Sequence, residues 1–173
     1  LEPLDLQRVS APMAAEDDLL RLHPQSYLDL LRDALPETGF AELDPDTYLS
    51  PGSLDAAYRG AGAAMRAVDL VAAGEVGNAF CAMRPPGHHA ETETPMGFCI
   101  FGNVAVAVMK ARAELGVERV AVVDWDVHHG NGTEQAFYED GETLTISLHQ
   151  DRLFPSDTGM AEHRGAGAGE GAH

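Results

Sequence analysis

Residues Arg119-Val120-Ala121-Val122-Val123-Asp124-Trp125-Asp126-Val127-His128-His129-Gly130-Asn131-Gly132 pass from an unbroken apolar run straight into carboxylates and imidazoles. The apolar part reads as a strand covered on both faces, because a strand with one wet face alternates. Side chains alternate along an extended chain, so Asp124, Asp126 and His128 project to one side. Unpaired charges at the end of an apolar strand are costly, and a divalent cation removes that cost. Imidazole plus carboxylate suits zinc, with ligand bonds of about 2.0–2.2 Å. Iron, cobalt and manganese use similar ligands, and the sequence does not separate them. A turn of solvated Asp and His is the plainer alternative.

The neighbouring segments place this strand in an α/β fold. Residues 15–35 read as helix, interrupted at His23-Pro24, with Leu28, Leu31 and Leu35 on one face. Residues 36–52, with three prolines and two glycines, read as loop. Ser53 is the expected N-cap of a helix running to about Ala73, with Gly74 as its stop. Asn78 to Met83 is short and apolar and reads as a first buried strand. Phe98 to Leu115 shows a helical apolar face and ends at Gly116. Thr133 to Glu139 reads as a short helix and Thr143 to Leu148 as a third strand. Strand, helix, strand, helix, strand implies a parallel sheet with helices on both faces. Ligands of such sheets bind beyond the carboxyl ends of the strands. The unusual residues fall there: Arg84 to His89, Asp124 to Gly132, and Ser147 to His149.

The second chemical signal is Arg84-Pro85-Pro86-Gly87-His88-His89, a stiff turn presenting two imidazoles. Adjacent histidines point in different directions, so they are poor co-ligands of one ion and better proton-transfer groups. Asp124 and Asn131 can partner them, a carboxylate for one and an amide for the other. Such unequal partners separate the two roles.

Together these segments resemble a known family. Arg84-Pro-Pro-Gly-His-His-Ala90, Gly97-Phe98-Cys99, Asp124-Trp-Asp-Val-His-His-Gly-Asn-Gly-Thr133 and Ser147-Leu148-His149 resemble the zinc-dependent histone deacetylase superfamily. Trp125 and Asn131 are most similar to its class II branch and to bacterial histone-deacetylase-like amidohydrolases. The resemblance implies an arginase/deacetylase-like α/β fold that hydrolyses an acyl amide of a lysine side chain or a polyamine. It implies that Asp126 and His128 are zinc ligands. It implies that His88 and His89 are the acid/base pair, backed by Asp124 and Asn131, with His89 taking the proton of the attacking water. Gly97, Phe98 and Phe154 would line a narrow tunnel for the acyl chain. A potassium ion would lie beside the zinc, on Asp124, Ser147 and the backbones of Asp126, His128 and Leu148. The family pattern also has a third zinc ligand, an Asp, and a transition-state Tyr, both further downstream. Tyr27, Tyr48, Tyr58 and Tyr138 match no such motif.

Composition narrows the partners. The 173 residues hold 11 Lys and Arg against 28 Asp and Glu, a net charge of -17. That balance disfavours nucleic acid and anionic membranes, which need clustered Lys and Arg. It suits a basic tail or a polyamine, although acidity also serves solubility alone. Cys81 and Cys99 lie in apolar runs and read as reduced, buried thiols of a cytoplasmic protein. The chain opens on Leu1 and ends at His173 behind a Gly/Ala run, so residues 1–173 read as the N-terminal and central part of a single deacetylase-like domain. Ten Arg against one Lys suggest a bacterial source, and a homo-oligomer is compatible with the sequence. Trp125 reads as core, and His163 as part of a loose loop. Two protein ligands are too few for a catalytic zinc, so the 173 residues alone are expected to be inactive. A catalytically inactive scaffold on the same fold is the alternative. A binuclear manganese ureohydrolase would need more Asp ligands and has no place for the tandem-His loop.

Overall fold

The computed structural model describes residues 6–173. Helices α1 (Glu16–Leu19) and α2 (Gln25–Asp33) flank Pro24, where the helical reading of this region breaks. A hairpin follows, β1 (Ala41–Asp44) against β2 (Thr47–Leu49). Helix α3 (Ser53–Ala72) packs on α4 (Asn103–Glu114). Strand β3 (Val120–Asp124), helix α5 (Asn131–Phe137) and strand β4 (Thr143–Ser147) complete the regular structure, before a single 3-10 turn at Gly167–Gly169. The core gathers Leu19, Tyr27, Leu28 and Leu31 against Ala57, Ala61 and Met65 of α3 and Ala105, Val106 and Val108 of α4. Among the described residues no helix is long and apolar enough to cross a membrane.

Strands β3 and β4 pair in parallel from Val120 opposite Thr143 to Asp124 opposite Ser147. This register sets the two chemically distinctive strand ends side by side. A right-handed crossover through α5 is the ordinary way to join parallel neighbours.

The structure departs from the sequence reading at five places. Residues 36–52 hold the hairpin, because Leu49 and Thr47 bury against the core while Pro45 sits in the turn. Ser53 is the first residue of α3 and not its cap; its hydroxyl accepts from the Ser50 N–H instead. Residues 78–83 form no strand: Phe80 is 92% exposed, and no described segment pairs with them. Helix α4 starts at Asn103, because Phe98 takes a positive φ that no helix accommodates. Finally, the β3–β4 sheet is covered on one face only, with Val123, Leu144, Ile146 and Leu148 exposed on the other side. Trp125 belongs to this open region at 81% exposure and is not core.

Candidate functional site

The tandem-His loop is fixed to the start of α5. Gly132 and Thr133 N–H groups both donate to the His88 carbonyl, at 2.9 and 3.3 Å. Helix N-termini have unsatisfied donors, and here the loop backbone takes two of them. A side chain at Gly132 would strike the Ala90 backbone, so only glycine permits this approach. Gly130 is similarly tight, with Asp124 Oδ2 and His88 Nδ1 beside it.

Each imidazole has its own partner. His88 Nδ1 lies 2.8 Å from Asp124 Oδ2. His89 Nδ1 lies 2.8 Å from Asn131 Oδ1. The rings do not diverge as adjacency suggested: their centroids are 3.9 Å apart and tilted by 40°. The Asn131 amide is oriented by Glu91, whose Oε1 accepts from Asn131 Nδ2 at 2.7 Å. Asn131 Oδ1 is therefore an acceptor, so His89 Nδ1 carries the proton and Nε2 is left bare. Glu91 is held in turn by Gln135 Nε2 at 3.1 Å. Sequence reasoning missed Glu91, because nothing in the spacing of a residue two beyond His89 reveals a contact forty positions away.

Electrostatics follow from these contacts. Burial pushes the His89 pKa below its ordinary 6.5, against the raising effect of the Asn131 bond. Burial also pushes the Asp124 carboxyl up, but hydrogen bonds from His88 and the Asp126 N–H outweigh it and hold the group below the carboxylate range. Burial lifts the Cys99 thiol to about 12, which makes it an inert packing group.

Asp126 and His128 stand next to this pair. Asp124 Oδ1 accepts from the Asp126 N–H at 3.1 Å, and Asp126 Oδ1 accepts from the His128 N–H at 2.8 Å. Asp126 Oδ1 is also 3.0 Å from His128 Nδ1 and 4.0 Å from His88 Nε2. Donors on one tetrahedral ion with bonds of about 2.1 Å sit about 3.4 Å apart, so carboxylate and imidazole are close enough to share a metal. Among the described residues, however, no three His, Cys, Asp or Glu side chains are grouped to hold an ion. The donor set fits zinc in chemistry and falls short in number.

The remaining nominated residues surround this point. Gly97 backs the His89 ring, which leaves no room for a Cβ. Phe98 follows it, 58% exposed. Phe154 meets His89 edge-on at 5.0 Å and His128 at 6.0 Å. Ser147 is the register partner of Asp124, its hydroxyl 2.8 Å from His149 Nδ1, and the Leu148 N–H donates to the Asp124 carbonyl. His129, which the sequence reading left without a role, is buried. Its Nε2 pairs with Glu134 at 2.7 Å and its Nδ1 lies 2.9 Å from Thr158 Oγ1. The His129 N–H also donates to the Phe154 carbonyl at 3.3 Å, so this residue anchors the loop that delivers Phe154.

Comparison with known proteins gives consistent matches. Residues 2–173 match the model of the histone deacetylase domain. The chain is 50% identical over 166 residues to a histone deacetylase-like amidohydrolase of Pseudomonas aeruginosa, covering 96% of this chain and 43% of that protein. It is 45% identical over 161 residues to a probable deacetylase of Methanothermobacter thermautotrophicus, covering 92% of this chain and 47% of the relative. The solved structure of the HDA15 HD domain superposes with a TM-score of 0.89 at 36% identity, over 95% of this chain and 48% of that one. The chain thus spans about half the length of the relatives it matches.

Proposed function

The chain belongs to the histone deacetylase domain family, and from that premise we propose that it supplies the acid/base pair and two zinc donors of an enzyme hydrolysing the acyl amide of a lysine side chain or a polyamine. The observation that carries this reading is the fixed tautomer of His89. Its Nδ1–H is committed to Asn131, and its bare Nε2 can accept a proton. Burial keeps the ring neutral at neutral pH, as a base requires.

The residues divide the work as follows. His89 takes a proton from water as its oxygen adds to the acyl carbon, then returns a proton to the amine as the C–N bond breaks. His88, its Nδ1 held on Asp124, stands beside it as the second imidazole of the pair, the two ring centroids 3.9 Å apart. Asp126 and His128, with a third donor outside the described residues, would hold the zinc. When bound, zinc lowers the pKa of its water to about 7 and polarises the carbonyl. Phe98 and Phe154 flank the acyl chain and exclude water from it. Asp124, Ser147 and Leu148 are the proposed seat of a potassium ion, on the strength of the family resemblance.

A non-catalytic fold member is the second reading, and the presence of His88, His89, Asp126 and His128 together favours the first over it. Hydrolysis of an acetyl-lysine peptide and of an acetylated polyamine decides between them, using zinc-loaded protein extended to the length of its relatives. The expected result is turnover that falls about 10²–10⁴-fold in His89→Ala with zinc content unchanged. No turnover in the zinc-loaded parent, or an active His89→Ala, contradicts the proposal. The 173 residues alone are expected to bind zinc weakly and turn over little.

A further inference from the structure

The β1–β2 hairpin makes two bonds to the segment that carries Phe98. The Gly97 N–H donates to Asp46 Oδ1 at 3.0 Å, and the Phe98 N–H donates to Thr47 Oγ1 at 3.0 Å. The Thr47 hydroxyl donates its own proton to Asp46 Oδ1 at 2.8 Å, which leaves its lone pairs for Phe98. Thr47 is 2% exposed, so water does not compete for these positions.

What these bonds hold is unusual. The Cys99 N–H donates to the Met96 carbonyl at 2.9 Å, closing a four-residue turn. Its central residues, Gly97 and Phe98, have φ of 56 and 66. Positive φ at both centres is the mark of a type I′ turn, whose second centre favours glycine. An aromatic residue there is strained unless its surroundings impose the conformation. Gly97 cannot move toward the core, because the His89 ring lies against it. The hairpin acts from the other side, through the two amides.

We propose that Asp46 and Thr47 are positioning residues that hold Phe98 in its left-handed turn beside His89 and so set the width and acyl-chain selectivity of the slot. The slot itself rests on the function proposed above; the bracing of the turn does not. Loss of the Thr47 acceptor frees the Phe98 amide and lets the ring leave its place. Substrate then binds less well, while the chemistry at His89 is untouched.

Two readouts test this. In the 173-residue chain, Thr47→Val should speed hydrogen exchange of the Phe98 amide by about ten-fold or more, with the Val106 amide in α4 unchanged as a reporter of global opening. Thr47→Ser, which restores the acceptor, should return Phe98 to the parental rate. In the extended zinc-loaded protein, Thr47→Val should raise KM for an acetyl-lysine peptide roughly three- to ten-fold with kcat within about two-fold, and narrow the preference between acetyl and butyryl substrates. Phe98 exchange that Thr47→Val leaves unchanged overturns the inference, as does a fall in kcat with KM unaltered. A parent that hydrolyses neither substrate defeats the proposed function alone, and the exchange measurement still decides the brace.

Discussion

The two halves of the site are built to different standards. His88 and His89 lie on a loop stitched to α5, each with a 2.8 Å partner, and His89 is 3% exposed. Asp126 and His128 lie at the edge of a two-stranded sheet, with side chains 49% and 40% exposed, and Asp126 Oδ1 is the partner His128 has within 3.0 Å. Trp125 and Val127, on either side of Asp126, face solvent at 81% and 51%. The difference teaches where preorganisation comes from. The half proposed for proton transfer is held by packing and hydrogen bonds within this chain, whereas the half proposed for metal binding stands, among the described residues, half exposed.

That contrast predicts an order of sensitivity. The largest effect is expected from Gly97→Ala, which forces a Cβ into the buried His89 ring at a φ of 56. It should cost about 3 kcal/mol and lower Tm by roughly 6–12 °C in calorimetry. A loss under about 1 kcal/mol would mean that the tandem-His half is as loose as the metal half.

Asn131→Leu comes next. It strands His89 Nδ1–H and the Glu91 carboxylate together, at a cost of about 1–3 kcal/mol in urea unfolding. It should also lower the His89 pKa further, since the Asn131 bond is the larger of the effects that raise it.

Acid should act on the same half. Burial holds His89 and His23 below the ordinary 6.5, His23 despite its bond to the Thr92 carbonyl. The unfolded chain then binds more protons than the native one just below that value. Stability is therefore full above about pH 6.5 and declines as pH falls toward the folded-state values. Urea midpoints measured from about pH 7.5 down to 5 should fall steadily, and a flat profile would show that these rings are not buried as described. The smallest effect belongs to Trp125→Ala, within about 0.5 kcal/mol, because its ring touches little. A larger loss would place that residue against a surface and narrow the contrast.

The sequence was most readable where covalent spacing does the work. The two chemically distinctive segments were each legible as short motifs, and the structure brings them together, although β3 ends at Asp124 and residues 126–128 bend where the reading extended the strand's alternation. It was least readable where distant segments meet. The hairpin at residues 41–49 was hidden by Pro45, by the flanking Pro36 and Pro51, and by strands of four and three residues. His23 read as a helix end, yet it is fully buried, with Nδ1 2.9 Å from the Thr92 carbonyl and Nε2 accepting from the Gly102 N–H at 3.0 Å. The strand expected at 78–83 failed for a physical reason: apolar character allows a strand, but a neighbouring backbone must be there to pair with it. Trp125 was assigned to the core because it lies between residues expected to face the metal and so points the other way, and that side is open to solvent.

Zinc binding to the 173-residue chain tests the central claim most directly, by titration of the parent, Asp126→Ala, His128→Ala and His89→Ala. One weak site should vanish in Asp126→Ala and in His128→Ala and persist in His89→Ala. Zinc that stays in Asp126→Ala, or leaves in His89→Ala, would contradict the division between a metal-holding and a proton-moving half.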